Sequence, residues 1–344
     1  MLRRLALASL LANVGIVVTG GAVRLTGSGL GCPTWPRCTD GSYVVTPEMG
    51  VHGLIEFGNR LLTGVVGLLA VACVVAALLA RPRRRALVGL SLLVFAGIPA
   101  QAALGGVTVL TGLNPWVVAA HFLLSMAVIA AAYALWRHTG EPDGPARAVV
   151  ARPVRQLVGV VVAASAGVLV LGTVVTGSGP HAGDAAARRT GLDPQTISQL
   201  HADAVFLLVG VSIALWFALR AVAAPAPLVR ASAVLVGIEL AQGAVGFVQY
   251  VTGLPALVVA AHMAGACAVW LATLAVAART RTRLPAAPAG QSTGGGGGAP
   301  ASVTPPAGGT TPAGGTPPAG SGPSTIGSRA PEPVSGPARA GLRS

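Results

Sequence analysis

Eight stretches of this chain are long and apolar enough to cross a lipid bilayer, which fixes the class of fold before any motif is considered. A spanning helix needs about 20 predominantly apolar residues, and hydrocarbon offers no water to satisfy a backbone that is neither helical nor closed into a barrel. The stretches cover roughly 5–23, 53–80, 87–108, 116–136, 156–176, 197–219, 230–250 and 256–278. Composition agrees: 53% of residues are hydrophobic, 10% are charged and the mean hydropathy is +0.72, whereas about a quarter of a soluble domain is charged. The sequence predicts an all-α membrane protein of eight transmembrane helices, with the lipid bilayer as its surroundings.

The formal charge of +13 comes from arginine, with no lysine in the chain. These arginines fall in short clusters between apolar runs instead of forming one stripe, so they read as topology signals and exclude a nucleic-acid partner. Arg3 and Arg4, Arg81 to Arg85, Arg137 to Arg155, Arg220 with Arg230, and Arg279 to Arg283 occupy alternate loops. Basic residues near helix ends stay on the cytoplasmic side. Both termini are therefore expected in the cytoplasm, in a multi-pass protein of the cell (plasma) membrane. Met1-Leu-Arg-Arg resembles the start of a secretory signal, yet the apolar run continues through Val18 with no small-residue cleavage site before Arg24, so a retained first helix is expected. From Leu284 the chain turns Gly-, Pro- and Ala-rich, and residues 284–344 are expected to be a disordered cytoplasmic tail.

A long stretch occurs twice. Gln101-Ala-Ala-Leu-Gly-Gly-Val-Thr-Val-Leu-Thr-Gly-Leu-Asn-Pro-Trp-Val-Val-Ala-Ala-His121 returns as Gln242-Gly-Ala-Val-Gly-Phe-Val-Gln-Tyr-Val-Thr-Gly-Leu-Pro-Ala-Leu-Val-Val-Ala-Ala-His262, in register at an offset of 141. Thr26-Gly-Ser-Gly29 likewise returns as Thr176-Gly-Ser-Gly179 at an offset of 150. Helices one to four and five to eight are thus two copies of one unit. An even number of spans gives both copies the same orientation, with a pseudo-twofold axis along the membrane normal. The expected architecture is two pseudo-symmetric four-helix bundles, 1–136 and 156–283, joined by a cytoplasmic linker at 137–155.

The repeat also pairs the chain's polar intramembrane residues. His121 and His262 sit near the outer starts of helices four and eight, and His201 of helix six has Asn59 of helix two as its counterpart at an offset of 142. Two imidazoles at matched depth inside a four-helix bundle suit axial ligation of a haem iron, and ionisable residues in a membrane lean functional. Satisfaction by a neighbouring backbone or hydroxyl group is the competing reading for each histidine. His52, Glu56, Asn59 and Thr63 share one face of helix two. Glu56 reads either as a general acid/base beside a bound substrate or as the partner of Arg60 one turn on. Glu239, in the middle of helix seven, has no role in this reading. Cys32 and Cys38 share an outer loop, where a structural disulfide, a redox-active pair and half of a metal site are all open; Cys73 and Cys267 lie in apolar runs as packing residues.

Gly20-Gly-Ala-Val-Arg-Leu-Thr-Gly-Ser-Gly-Leu-Gly-Cys-Pro-Thr-Trp-Pro-Arg-Cys38, Ile55-Glu-Phe-Gly-Asn-Arg60, Thr176-Gly-Ser-Gly-Pro-His-Ala-Gly-Asp184 and the helix-borne histidines resemble the haem A synthase family, from about residue 5 to 280. The resemblance implies an oxidoreductase that converts the C8 methyl group of haem O to a formyl group, giving haem A for cytochrome c oxidase. It implies a haem b held by His201 and His262 in the C-terminal bundle, and the substrate haem O in the N-terminal bundle on His121. It implies Glu56 as the catalytic residue and a disulfide between Cys32 and Cys38. Haem O synthase, the protohaem farnesyltransferase, is the implied upstream partner, beside an electron donor or acceptor of unknown identity. The chain departs from the family pattern at Asn59, where better-known members have a histidine before the arginine, implying a substrate iron held by His121 alone. Arg24, Arg60 and His181 are candidates for the substrate's propionates. Two other classes remain open: a b-type di-haem electron-transfer cytochrome, and a porphyrin transporter.

Overall fold

The structure, a computed structural model, describes residues 1–285. It contains α1 (Leu2–Leu25), α2 (Gly50–Leu79), α3 (Arg85–Leu110), α4 (Pro115–Thr139), α5 (Arg152–Ser178), α6 (Pro194–Ala221), α7 (Ala226–Val251) and α8 (Ala256–Arg279). All eight expected spans are helices of membrane-crossing length. Their ends overhang the apolar windows because capping, which hydropathy does not register, sets where a helix begins. Asn114 accepts from the Trp116 amide at 3.0 Å, and Asp193 from the Thr196 amide at 2.7 Å. Each cap is followed by a proline at the first helical position, where a missing N–H costs nothing. The tail expected from residue 284 lies outside the described residues, Leu284 and Pro285 apart.

Packing follows a repeated order. Within 1–139 α1 touches α2, α2 touches α3, α3 touches α4, and α4 returns to α1; α5, α6, α7 and α8 close a second ring in the same order. Between the rings, α4 meets α5 and α8, and α1 meets α8. The Trp270 indole N–H donates to the Met126 carbonyl at 3.0 Å across this seam. Gly21 makes room beside it, since a Cβ there would stand 2.8 Å from Cε of Met263. Cys267 and Trp270 of α8 belong to the apolar core of the first ring, so the two rings share buried surface.

The duplicated hairpins have the same backbone. Gly112 and Leu113 lie at φ +60° and +58°, Gly253 and Leu254 at +76° and +63°. Leu113 donates to Thr108 O and Leu254 to Gln249 O, both at 2.8 Å. Left-handed leucines are uncommon, and both occur at the same step of the repeat.

At the arginine-rich end the linker is more ordered than its composition suggests. Strand β1 (Ala146–Ala148) pairs antiparallel with β2 (Arg281–Arg283) just past α8. Glu141 receives Arg137 at 2.9 Å and Arg283 at 3.5 Å, and Arg84 pairs with Asp143. Three-residue strands are too short to show alternation, so this ladder had no signal in the sequence.

Candidate functional site

The four polar residues that the repeat pairs off lie at one level. Asn59, His121, His201 and His262 are nine, six, seven and six residues into α2, α4, α6 and α8, so each is about 9–14 Å from its helix start. In the ring order, α2 faces α4 across the first bundle and α6 faces α8 across the second. His201 and His262 thus stand on opposite corners of one bundle.

Each of the four lies against a glycine of the neighbouring odd-numbered helix. A Cβ on Gly105 would come within 3.2 Å of His121 Cε1, one on Gly172 within 3.3 Å of His201 Cε1, and one on Gly246 within 3.1 Å of His262 Cε1. Gly20 takes the same place beside Asn59, at 3.8 Å from Nδ2. These glycines are five, five, six and five residues before the ends of α1, α3, α5 and α7. A bare backbone at these points lets the side chain approach the neighbouring helix more closely than a Cβ would allow. Nδ1 of His121 and of His201 is buried with no partner, and a buried polar atom without a partner calls for an explanation, a bound group being one.

Gln101 and Gln242, also kept in the repeat, bond the backbone of the histidines. Gln242 Nε2 donates to His262 O at 2.7 Å and stands 3.0 Å from His262 Nδ1; Gln101 Nε2 reaches His121 O at 3.2 Å and Ser125 Oγ at 2.7 Å. Of the two, only Gln242 touches a ring nitrogen and so bears on the orientation of the imidazole; Gln101 anchors the backbone of His121.

The polar face of α2 meets α1 and the loop that follows it. His52 Nδ1 lies 2.9 Å from Ser28 Oγ, and Asn59 Oδ1 accepts from Thr19 at 2.7 Å. Glu56, 6% exposed, accepts from the Cys32 amide at 2.7 Å on Oε2 and from Arg60 Nη2 at 2.6 Å on Oε1. Arg60 also donates to the carbonyls of Cys32, Thr34 and Arg37. The ion pair therefore holds the cysteine loop in place, and Cys32 and Cys38 are disulfide-bonded with both residues fully buried. Trp35 of that loop lies on Gly106, beside the glycine that faces His121. The loop thus covers the end of the first bundle next to His121.

Not every residue named from sequence joins this level. Arg24 reaches into the second half, donating to His181 O at 2.6 Å and Thr176 O at 2.9 Å, while His181 Nε2 lies 2.9 Å from Leu254 O. His52 borders a separate cleft of about 720 Å³ with Gly27, Pro33, Met49 and Asp184, outside the helical rings. The four facing glycines and Trp35 were not singled out in sequence; the register of Gln101 with Gln242 and Gly105 with Gly246 was the available signal.

The COX15-CtaA family of cytochrome oxidase assembly proteins matches residues 3–188, more than half of the chain. The chain belongs to that family. Curated relatives agree: a protein named "Heme A synthase" from Listeria welshimeri is 34% identical over 113 residues, 32% of this chain and 37% of that protein. Those of the same name from Geobacillus kaustophilus and Lysinibacillus sphaericus are 31% identical over 134 residues and 39% over 129. These cover 38% and 35% of this chain and 41% and 40% of the relatives. The chain thus spans about two fifths of the length of the curated relatives it matches. This family member is a multi-pass membrane protein, on the strength of its eight spans.

Proposed function

We propose that this protein is a haem A synthase, oxidising the C8 methyl group of haem O to a formyl group. The observation that carries the reading is the matched depth of three half-buried imidazoles and Asn59, each set against a glycine, with a loop-bound acid, Glu56, at the first bundle only. A haem b, when bound, supplies the one-electron chemistry that side chains lack. His201 and His262 hold it in the second bundle, and Gln242 orients His262.

In the first bundle His121 holds the iron of haem O, which is the substrate. Asn59 takes the repeat position of His201, and its amide oxygen already accepts from Thr19, so Asn59 would offer only a weak ligand and His121 would be the residue that holds the substrate's iron. Glu56, one turn outward of Asn59, is the base that takes protons from the reacting methyl group, and Arg60 fixes its position. In net terms R–CH₃ + H₂O gives R–CHO + 4 H⁺ + 4 e⁻, so one oxygen atom at the oxidation level of water is added and an external acceptor must receive the four electrons. Trp35 and the disulfide loop cover the end of the first bundle beside His121 and limit bulk water there, which strengthens electrostatic effects. Arg24 and Arg60 line the end at which propionates emerge. We place both termini in the cytoplasm of the cell's plasma membrane, and haem O synthase upstream as the source of substrate.

The reading is tested by supplying haem O to cells expressing the chain and extracting the porphyrins. Haem A is expected. Unconverted haem O alongside a haem-loaded protein would favour the electron-carrier cytochrome.

A further inference from the structure

The second bundle contains a carboxyl that the proposed reaction does not use. Glu239 of α7 is 3% exposed. Its Oε1 accepts from Ser212 Oγ at 2.9 Å, its Oε2 is buried with no partner, and no cation pairs with it among the described residues. Glu56, by contrast, has Arg60. An unpaired carboxylate in hydrocarbon is costly, and a carboxyl so placed responds to any change of charge nearby.

The position of Glu239 relates it to the histidine level. Ser232, Glu239 and Gly246 follow at intervals of seven and share one face of α7, and Gly246 is the glycine against His262. On α6, Ser212 is eleven residues past His201; on α8, Thr273 is eleven past His262; on α5, Ser165 is seven before Gly172. Intervals of seven and eleven return to the same helix face. All five polar side chains are at most 3% exposed, and Thr273 bonds Ser165 at 3.3 Å. They descend from the histidine level toward the arginine-rich end by about 10–21 Å, with Ser232 the deepest. Ser232 Oγ, the member nearest that end on α7, is also buried without a partner.

The first bundle lacks the central part of this column. At the repeat offsets of 142 for α6 and 141 for α7 and α8, the counterparts of Ser212, Glu239 and Thr273 are Ala70, Ile98 and Ala132, and of these four residues only Ser232 is kept, as Ser91; on α5, Ser165 takes the place of Asn13 when Gly172 is set against Gly20. A structural hydroxyl would be expected in both copies. The acid and its hydroxyl partner accompany the His201 and His262 pair only.

Resting on the reading that these two histidines hold a haem, we propose that Glu239 is a redox-linked proton site, loaded from the arginine-rich face along the Ser232 side. When one electron reaches that haem from a one-electron carrier, one proton from the aqueous phase forms the O–H bond of the Glu239 acid. Reoxidation returns the electron to an acceptor and the proton to water. The bundle's net charge is the same before and after, which a low-dielectric interior favours. Other titratable groups on the packed helices are placed differently. His201 and His262 are the proposed ligands, Asp203 bonds Gln199 on the exposed face of α6, and Cys267 belongs to the first ring's core. Arg220, Arg230 and Arg279 lie at the arginine-rich end.

The test is a spectroelectrochemical titration of the purified haem-loaded protein at a series of pH values. The wild-type midpoint potential should fall by up to about 59 mV per pH unit, the value for one proton per electron. Glu239→Gln, which keeps the oxygen that accepts from Ser212, should keep the absorption spectrum and flatten that slope. Ser212→Ala removes the bond but keeps the acid, and should move the sloping region to a different pH. A flat wild-type response, an unaltered slope in Glu239→Gln or an unmoved region in Ser212→Ala overturns the proposal; the last decides the matter if the Gln variant does not fold. A protein without haem, or a His262→Ala variant with the wild-type spectrum, would defeat the reading of the second bundle together with this inference. An intact spectrum with an unaltered slope defeats this inference alone.

Discussion

At the residue scale the histidines were legible and the glycines were not. Repetition at a fixed offset marks His121 and His262 in the sequence, and it leads to His201 and Asn59. With 47 glycines in the chain, 19 of them in the eight apolar stretches, nothing local says which face the bundle interior. Only the packed rings show that Gly105, Gly172 and Gly246 lie under imidazoles. This gives a sharp prediction on one helix. In Gly246→Ala the new methyl meets His262 Cε1 at 3.1 Å, an overpacking that typically costs about 1–3 kcal/mol, so haem retention should weaken about tenfold. Gly243→Ala, where a Cβ meets nothing within 4 Å, should retain haem fully. Haem-to-protein ratios after detergent washing compare the two, and equal loss would remove the glycine wall from the account.

At the element scale, the spans could be read because lipid demands long apolar runs, while the loops could not because their order comes from tertiary bonds. The loop around Cys32 and Cys38 is held by Glu56 and Arg60, and no spacing rule announces a carboxylate accepting from a loop amide twenty-four residues earlier. Replacing both cysteines with serine should lower stability by about 2 kcal/mol, the low end for a native disulfide since the closed loop is short. Because both cysteines are fully buried, a thiol reductant without denaturant should leave the bond intact; rapid reduction, followed by thiol labelling, would contradict that. The start of α6 carries a separate pH effect. Asp193 accepts from the amide and hydroxyl of Thr196, and these bonds hold its carboxyl below the usual range. A depressed value means the cap is present above the unfolded value and lost as pH falls through the folded one. Amide exchange at Thr196 should therefore be slow at neutral pH, beyond the intrinsic rate change, and lose its protection only in strong acid.

At the scale of the whole molecule, duplication accounts for the two rings and their divergence accounts for the proposed chemistry. One ring pairs His201 with His262 and carries Glu239 beneath them; the other sets Asn59 against His121 and carries Glu56 under a closed loop. That contrast was visible in sequence as a broken repeat, whereas the seam made by Trp270, Met126 and Met263 was not, because residues far apart in the chain meet only in the folded bundle. The central claim is that resident haem and substrate occupy different rings. Glu56→Gln tests it most directly, since the amide keeps an oxygen for the Cys32 amide while removing the base. Bound haem and newly formed haem A are quantified in the same preparation. The account predicts a full complement of haem b with the wild-type spectrum and no haem A; loss of bound haem to the level of His262→Ala, or haem A formed at the wild-type rate, would contradict it.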